Sequence, residues 1–203
     1  MTRRAKDSPS LPLRREAVRK ALHLSLVALP VLYSRGVARD VLVLSLGGGV
    51  LLALAVESAR RASPHIGAGF ERAFGTLLRE RERAAVTGAT WLLAACFAAV
   101  LALPREAAVA ALWCAAAGDP AATLVGRATA ALRGAAAPLT KTPAGSAACF
   151  ITSLAGTWAL APFPLTAAAL IALLATLVER LPLSLDDNLR VPAAAGVTAW
   201  LLS

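Results

Sequence analysis

The sequence predicts an all-α integral membrane protein, a bundle of about seven transmembrane helices with its N-terminus in the cytoplasm. Three observations predict it. Of the 203 residues, 58% are hydrophobic and 16% charged, whereas soluble domains are about 45–50% apolar. The apolar residues are gathered into runs near the ~17–25 residues that cross a bilayer. The basic residues fall between those runs, mostly in alternate loops, the signature of cytoplasmic loops. A soluble helical protein is the rival reading, but soluble helices rarely run this long without a polar face.

The apolar segments are about 20–34, 38–56, 86–103, 107–125, 143–161, 164–180 and 189–203. Glycine, proline or charge separates them, as at Ser34-Arg35-Gly36 and Pro162-Phe163-Pro164. The first and last are short for full spans and suit a tilted helix or a locally thinned bilayer. With the N-terminus inside, residues 1–20 place Arg3, Arg4, Lys6, Arg14, Arg15, Arg19 and Lys20 in the cytoplasm. The loop 57–85 adds Arg60, Arg61, Arg72, Arg79, Arg81 and Arg83, and the later inside loops add Arg127, Arg133, Lys141, Arg180 and Arg190. Only Arg35, Arg39 and Arg105 fall outside. The chain therefore divides into a basic cytoplasmic tail, 1–18, and a single transmembrane domain, 19–203. The basic start, the short apolar run and Gly36-Val37-Ala38 also resemble a signal peptide, whose cleavage would remove His23.

In the loop 57–85, Phe70, Phe74, Leu77 and Leu78 recur at helical spacing among Arg and Glu. That pattern predicts an amphipathic helix lying on the cytoplasmic leaflet between spans two and three. Small residues let spans approach closely, and Gly47-Gly48-Gly49 fits that role. The net charge of +9 does not mark a nucleic-acid partner, because the basic residues flank apolar runs and aromatic residues make up 5%. Cys96, Cys114 and Cys149 lie inside apolar segments without CxxC spacing and read as small buried hydrophobes.

Polar residues that stand out then gather on one side: His23, Glu82, Asp119, Lys141, Glu179, Asp186, Asp187 and Asn188. Carboxylates at membrane depth are costly and are functional candidates. Structural roles compete. Asp119 before Pro120, and Thr142 before Pro143, fit helix N-caps. Ser184 to Asp187 fits a capping box. Yet Asp119 lies deep in an apolar run, where Gly118 and Pro120 can break a helix that lines a cavity. A helix N-terminus there would favour an anion such as phosphate. Asp119, Asp186 and Asp187 offer hard oxygen ligands for Mg²⁺, and Lys141, Arg127 and Arg133 offer charge for phosphates. Arg19, Lys20 and His23 share one helix face, as snorkelling anchors or as part of a site. P-loop, GxSxG and HExxH motifs are absent from the sequence.

Several stretches together resemble the membrane lipid kinases that include dolichol kinase, phytol kinase and the CTP-dependent diacylglycerol kinase. They are Arg19-Lys20-Ala-Leu-His23, Glu82 with Thr87-Gly88-Ala89-Thr90, and Gly118-Asp119-Pro-Ala-Ala-Thr-Leu-Val-Gly126-Arg127. Lys141-Thr142-Pro-Ala-Gly145-Ser146 and Glu179 with Asp186-Asp187-Asn188-Leu189 and Pro192 complete the set, in the family's order. One departure is Ala128-Thr129-Ala130, where the family usually continues with glycine and basic residues. Another is the absence of the extra N-terminal spans of eukaryotic dolichol kinases, which implies a minimal, prokaryotic form.

The resemblance implies phosphoryl transfer from CTP to the hydroxyl of a membrane lipid, an isoprenoid alcohol first and diacylglycerol next. In that scheme Asp119 and Asp187, with Asp186 beside them, hold Mg²⁺. Lys141 and Arg127 neutralise phosphate charge, with Gly118, Gly126 and Thr142 beside the phosphates. Asn188 completes the shell, and Glu179 or Asp186 accepts the hydroxyl proton. Lys20, His23 and Glu82 orient this shell or bind the cytidine. CDP-lipid synthases form the sister group, but their acidic motif is DxxD, which Asp186-Asp187-Asn188 does not match. A small transporter is the non-enzymatic alternative. It would place polar groups near the midplane and often show inverted repeats.

Overall fold

The computed structural model describes residues 13–132, 141–182 and 185–203. The tail residues Arg3, Arg4 and Lys6, together with Arg133 and Ser184, lie outside them. Every regular element among the described residues is helical. The chain runs α1 (Leu13–Leu24), a 3₁₀ turn (Ser25–Val27), α2 (Ala28–Ser34), α3 (Arg39–Ala62), α4 (Pro64–Phe74), α5 (Glu80–Ala84) and α6 (Gly88–Ala102). It continues through α7 (Arg105–Trp113), a π turn (Cys114–Gly118), α8 (Asp119–Leu132), α9 (Pro143–Leu160), α10 (Leu165–Arg180) and α11 (Asp187–Leu201).

Each apolar segment of the sequence is helical, but they differ as membrane spans. Among the described residues, two helices are long and apolar enough to cross a bilayer: Arg39–Ala62, with 24 residues, and Arg105–Leu132, with 28 residues. Their surroundings differ. The most apolar stretch of Arg39–Ala62 is only 17% buried, whereas that of Arg105–Leu132 is 72% buried. Leu44, Leu51 and Leu52 stand exposed along α3, an apolar face of the kind that lipid covers.

α7 is the hub. Residues Ala107 to Leu112 are buried on all sides, and the helix packs against α2, α9 and α11. Alanine permits this, since a methyl group lets helices approach from every direction. Trp113 ends the hub and donates from Nε1 to the Thr152 carbonyl at 2.8 Å. Its indole fills the space that a side chain on Gly156 of α9 would need. Gly47 and Gly49 of α3 serve α6 in the expected way, lying against Phe97 and Leu93, while Gly48 meets nothing. Antiparallel packing follows from the end contacts: Arg39, opening α3, donates to the Val100 and Leu101 carbonyls that close α6.

Four expectations change. α1 starts at Leu13, so the division at residue 18 falls inside a helix whose Glu16 is already buried. α3 extends to Ala62, beyond the apolar run, because Glu57 is held by Arg60 and Arg61. The amphipathic helix is Pro64–Phe74, with Pro64 in its first turn and the Ser63 side chain accepting from Ile66 N. Leu77 and Leu78 therefore lie beyond it. The fourth change concerns Asp119. The helix does not break there: Asp119 has helical φ −64° and ψ −44°, so it is no N-cap and no new helix N-terminus forms. Pro120 lacks an N–H and its ring crowds the carbonyl four residues back. The π turn before it shifts the register instead, with Asp119 N bonding to the Cys114 carbonyl.

Gly156→Ala tests the hub. Its methyl group overlaps the Trp113 indole, and such overpacking costs about 1–3 kcal/mol. A thermal melt of the purified protein in detergent should show a lowered midpoint, and an unchanged midpoint would contradict the close packing.

Candidate functional site

Asp119 is buried, 3% exposed, and two residues of α1 reach it. Lys20 Nζ lies 2.5 Å from Asp119 Oδ2, and His23 Nδ1 lies 4.0 Å from the same oxygen. The other His23 nitrogen, Nε2, is 2.9 Å from the Ala115 carbonyl, a carbonyl of the π turn. α1 thus reads the irregular turn through Lys20 and His23, four and one residues beyond Glu16 and Leu22. Snorkelling does not describe Lys20, which is buried and paired.

Lys141 precedes α9 and closes a second group. Its Nζ lies 2.8 Å from Glu179 Oε1 and 2.9 Å from Asp187 Oδ2, and it also donates to the Glu179 carbonyl. Burial pulls the Lys141 ammonium down, but Asp187 and Glu179 outweigh burial and hold it above its ordinary 10.5. Thr142 caps α9 by accepting from Gly145 N at 3.1 Å, with Pro143 following, as the sequence indicates. Asp186 caps α11: its Oδ1 accepts from Asn188 N at 3.1 Å, and its Oδ2 pairs with Arg81 at 2.8 Å. Asp186 is thereby turned away from the acidic group. Asn188 Nδ2 donates to the Gly88 carbonyl at 3.0 Å and ties α11 to the start of α6.

Asp119, Glu179 and Asp187 can each present one carboxylate oxygen, all within 4.8 Å of one another. Glu179 Oε2 is buried without a hydrogen-bond partner. These three hard oxygens could hold a divalent cation once they draw together and the Lys141 ammonium, now between Glu179 and Asp187, gives way. Lys20, Lys141 and Arg190 balance the three carboxylates.

The rim is a second ring of ion pairs. Glu82 accepts from Arg79 N at 2.8 Å, from Gly88 N at 3.1 Å and from both terminal nitrogens of Arg19. Glu57 accepts from Thr87 N at 2.8 Å, and Arg60 and Arg61 hold its other oxygen. Arg79 pairs with Glu16 at 2.9 Å. Burial would raise the Glu16 carboxyl, but Arg79, Arg19 and Lys20 outweigh it and hold Glu16 below its ordinary 4.5.

Apart from Glu57, Arg60, Arg61 and Arg190, which stand behind its wall, these groups line one cavity of about 900 Å³, toward the upper end of the roughly 300–1,000 Å³ of ligand pockets. Every site residue expected from sequence lines it except Gly118: Lys20, His23, Glu82, Asp119, Gly126, Arg127, Lys141, Thr142, Glu179, Asp186, Asp187 and Asn188. Gly118 lies instead in the π turn, where a side chain would collide with Ser153 of α9. Gly126 lets α8 approach Thr142, whose Oγ1 lies 2.8 Å from where its Cβ would be. Sequence reasoning missed Glu16, Glu57 and Arg79 as rim-builders, and Arg190, which is buried and donates to the Val178 and Leu181 carbonyls and to Asp187. Arg190 had one available signal, its position three residues after Asp187.

The chain matches no protein-family model, no curated protein and no solved structure.

The Glu16 carboxylate stays ionised in the fold to lower pH than in the unfolded chain. Its contribution to stability is therefore fully present above its ordinary value of 4.5 and lost as pH falls through the lower folded value. Melting midpoints across acid pH should fall more steeply for the native protein than for Glu16→Gln. Parallel curves would show that the pair does not set the acid limb.

Proposed function

We propose that the protein is a CTP-dependent lipid kinase that phosphorylates the hydroxyl of an isoprenoid alcohol. On this reading it crosses a prokaryotic cell membrane about seven times, and its site faces the cytoplasm. One observation carries the reading: a single cavity joins a floor of Asp119, Glu179, Asp187, Lys20 and Lys141 to walls of leucine and phenylalanine. A triphosphate and a hydrocarbon-bearing alcohol need those two environments side by side. A transporter would need its polar groups near mid-bundle, whereas here most sit at the ends of α6, α9, α10 and α11, with Asp119, midway along Arg105–Leu132, the exception.

Phosphoryl transfer asks for positioning and charge neutralisation more than covalent help. Asp119, Glu179 and Asp187 would hold Mg²⁺, which would supply positive charge to the β- and γ-phosphates. Three carboxylates against Lys20, Lys141 and Arg190 leave the floor near neutrality, so a triphosphate needs such added charge. Lys141 and Arg127 flank the same space and would steady the transferring group. The lipid hydroxyl oxygen bonds to the γ-phosphorus, the bond to the β–γ bridging oxygen breaks, and CDP leaves. Of the two candidate proton acceptors both Asp186 oxygens are engaged, whereas Glu179 could take the proton on Oε2 when that oxygen is not holding the metal.

Incubation with γ-labelled CTP, Mg²⁺ and a panel of polyprenols, phytol, geranylgeraniol and diacylglycerol tests this. Label should enter the lipid, and Asp119→Asn and Asp187→Asn should each lower kcat by about 10²-fold or more, in the range seen when one charge-stabilising group is lost. Release of pyrophosphate with cytidine kept in the lipid product would instead identify a cytidylyltransferase. Parallel assays with ATP, GTP and UTP establish the donor, and diacylglycerol as the preferred acceptor would redirect the substrate assignment.

A further inference from the structure

The cavity is two-sided. Its apolar part is built by Leu22 and Leu26 on one flank and by Phe70, Phe74, Leu77 and Leu93 on the other. The first flank belongs to α1 and the 3₁₀ turn, the second to α4, the turn after it, and α6. α1 packs on α8 and the π turn, and among the described residues it makes no comparable packing with α3, α4 or α6. The two apolar flanks therefore face each other across a slot instead of closing on each other. Leu22 is 60% exposed and Phe74 50% exposed, at the open edge. Lys20 and His23, on the same helix as Leu22, point to Asp119 at the polar end.

We propose that this slot is the acceptor's hydrocarbon subsite. The chain of a membrane lipid alcohol enters laterally between α1 and the α4–α6 flank, lies against Leu22, Leu26, Phe74 and Leu93, and delivers its hydroxyl to the Asp119–Glu179–Asp187 floor. The proposal rests on the lipid-kinase reading for what happens at the hydroxyl, but the slot's ligand class follows from its lining. An aqueous metabolite would leave these side chains unused, while an aliphatic chain buries them at about 0.8 kcal/mol per methylene. Amphipathic α4 suits this role, because Phe70 and Phe74 occupy one side of it and line the slot, with Arg60 stacked on Phe70 at 5.1 Å. α4 is thereby seated against the charged end of α3, where headgroups would lie.

The test uses the full chain in lipid vesicles with a long-chain alcohol carrying an alkyl diazirine. Photolysis followed by peptide mapping should place adducts on residues 22–26 and 70–77, and excess geranylgeraniol should remove them. Leu22→Asp and Phe74→Asp alter exposed positions and should leave the melting midpoint near that of the native protein. Each should raise KM for geranylgeraniol about tenfold, the worth of roughly two buried methylenes, with a much smaller rise for the short alcohol prenol. Adducts spread over the outer faces of α3 and α9, without competition, would overturn the slot even if phosphoryl transfer is observed. Equal impairment of long and short alcohols would overturn it too. Competed adducts in the slot without transfer to any alcohol would uphold the slot and remove the kinase reading.

Discussion

The ion pair between Lys20 and Asp119 is the contact on which the rest of the arrangement depends. Both side chains are almost wholly buried and lie 2.5 Å apart. Away from water an unpaired charge is far more costly than a paired one, and removing one partner of a buried pair costs about 3–5 kcal/mol. Asp119 sits in the helix that runs through the bundle centre, and Lys20 sits in a helix that packs mainly on α8. The pair therefore fixes where α1 lies, and with it the position of His23 and of the slot's first flank. A hydrophobic residue at position 20 could fill space, but it would leave the carboxylate stranded.

That pair requires Asp119 to be presented sideways from a continuous helix, and the π turn makes this possible. Five residues, Cys114–Gly118, form the turn. It exposes the Ala115 carbonyl to His23 and absorbs Pro120 without ending the helix. Sequence reasoning finds the irregularity at Gly118-Asp119-Pro120 but cannot select its form. A proline is compatible with a break, a kink or a shifted register, and neighbours bear on the choice: Ser153 closes on Gly118, and Lys20 and His23 of α1 hold Asp119 and the Ala115 carbonyl.

Other parts of the molecule divide along the same line. Apolar periodicity and run length reveal the seven helical segments and most of their ends, because those signals are local. Thr142-Pro143 is likewise a local cap and is formed as written. The acidic group was half legible. Asp119 and Asp187 stand out by depth and composition, yet the choice of Glu179 over Asp186 depends on Arg81, 105 residues away, drawing Asp186 aside. Glu16, Glu57 and Arg190 resemble ordinary flanking charges in the sequence. Only the approach of α5, α6 and α10 makes them buried partners, and no short-range pattern encodes that approach.

The hub of alanines places a further demand on these charges. In a bilayer, helix association gains little from burying apolar surface, since lipid is as apolar as leucine. α7 contributes close contacts rather than large side chains, and specific positioning then falls to the polar contacts at the helix ends. Lys141 joins α9 to α10 and α11, Asn188 joins α11 to α6, and Arg60 joins α3 to the segment before α6. The residues that shape the cavity are thus the same ones that hold its walls together. A substitution at any of them combines a chemical effect with a packing effect. Asp119→Asn keeps the size of the side chain but leaves the buried Lys20 ammonium without its anion, so only a melt of the variant beside its kinetics separates the two.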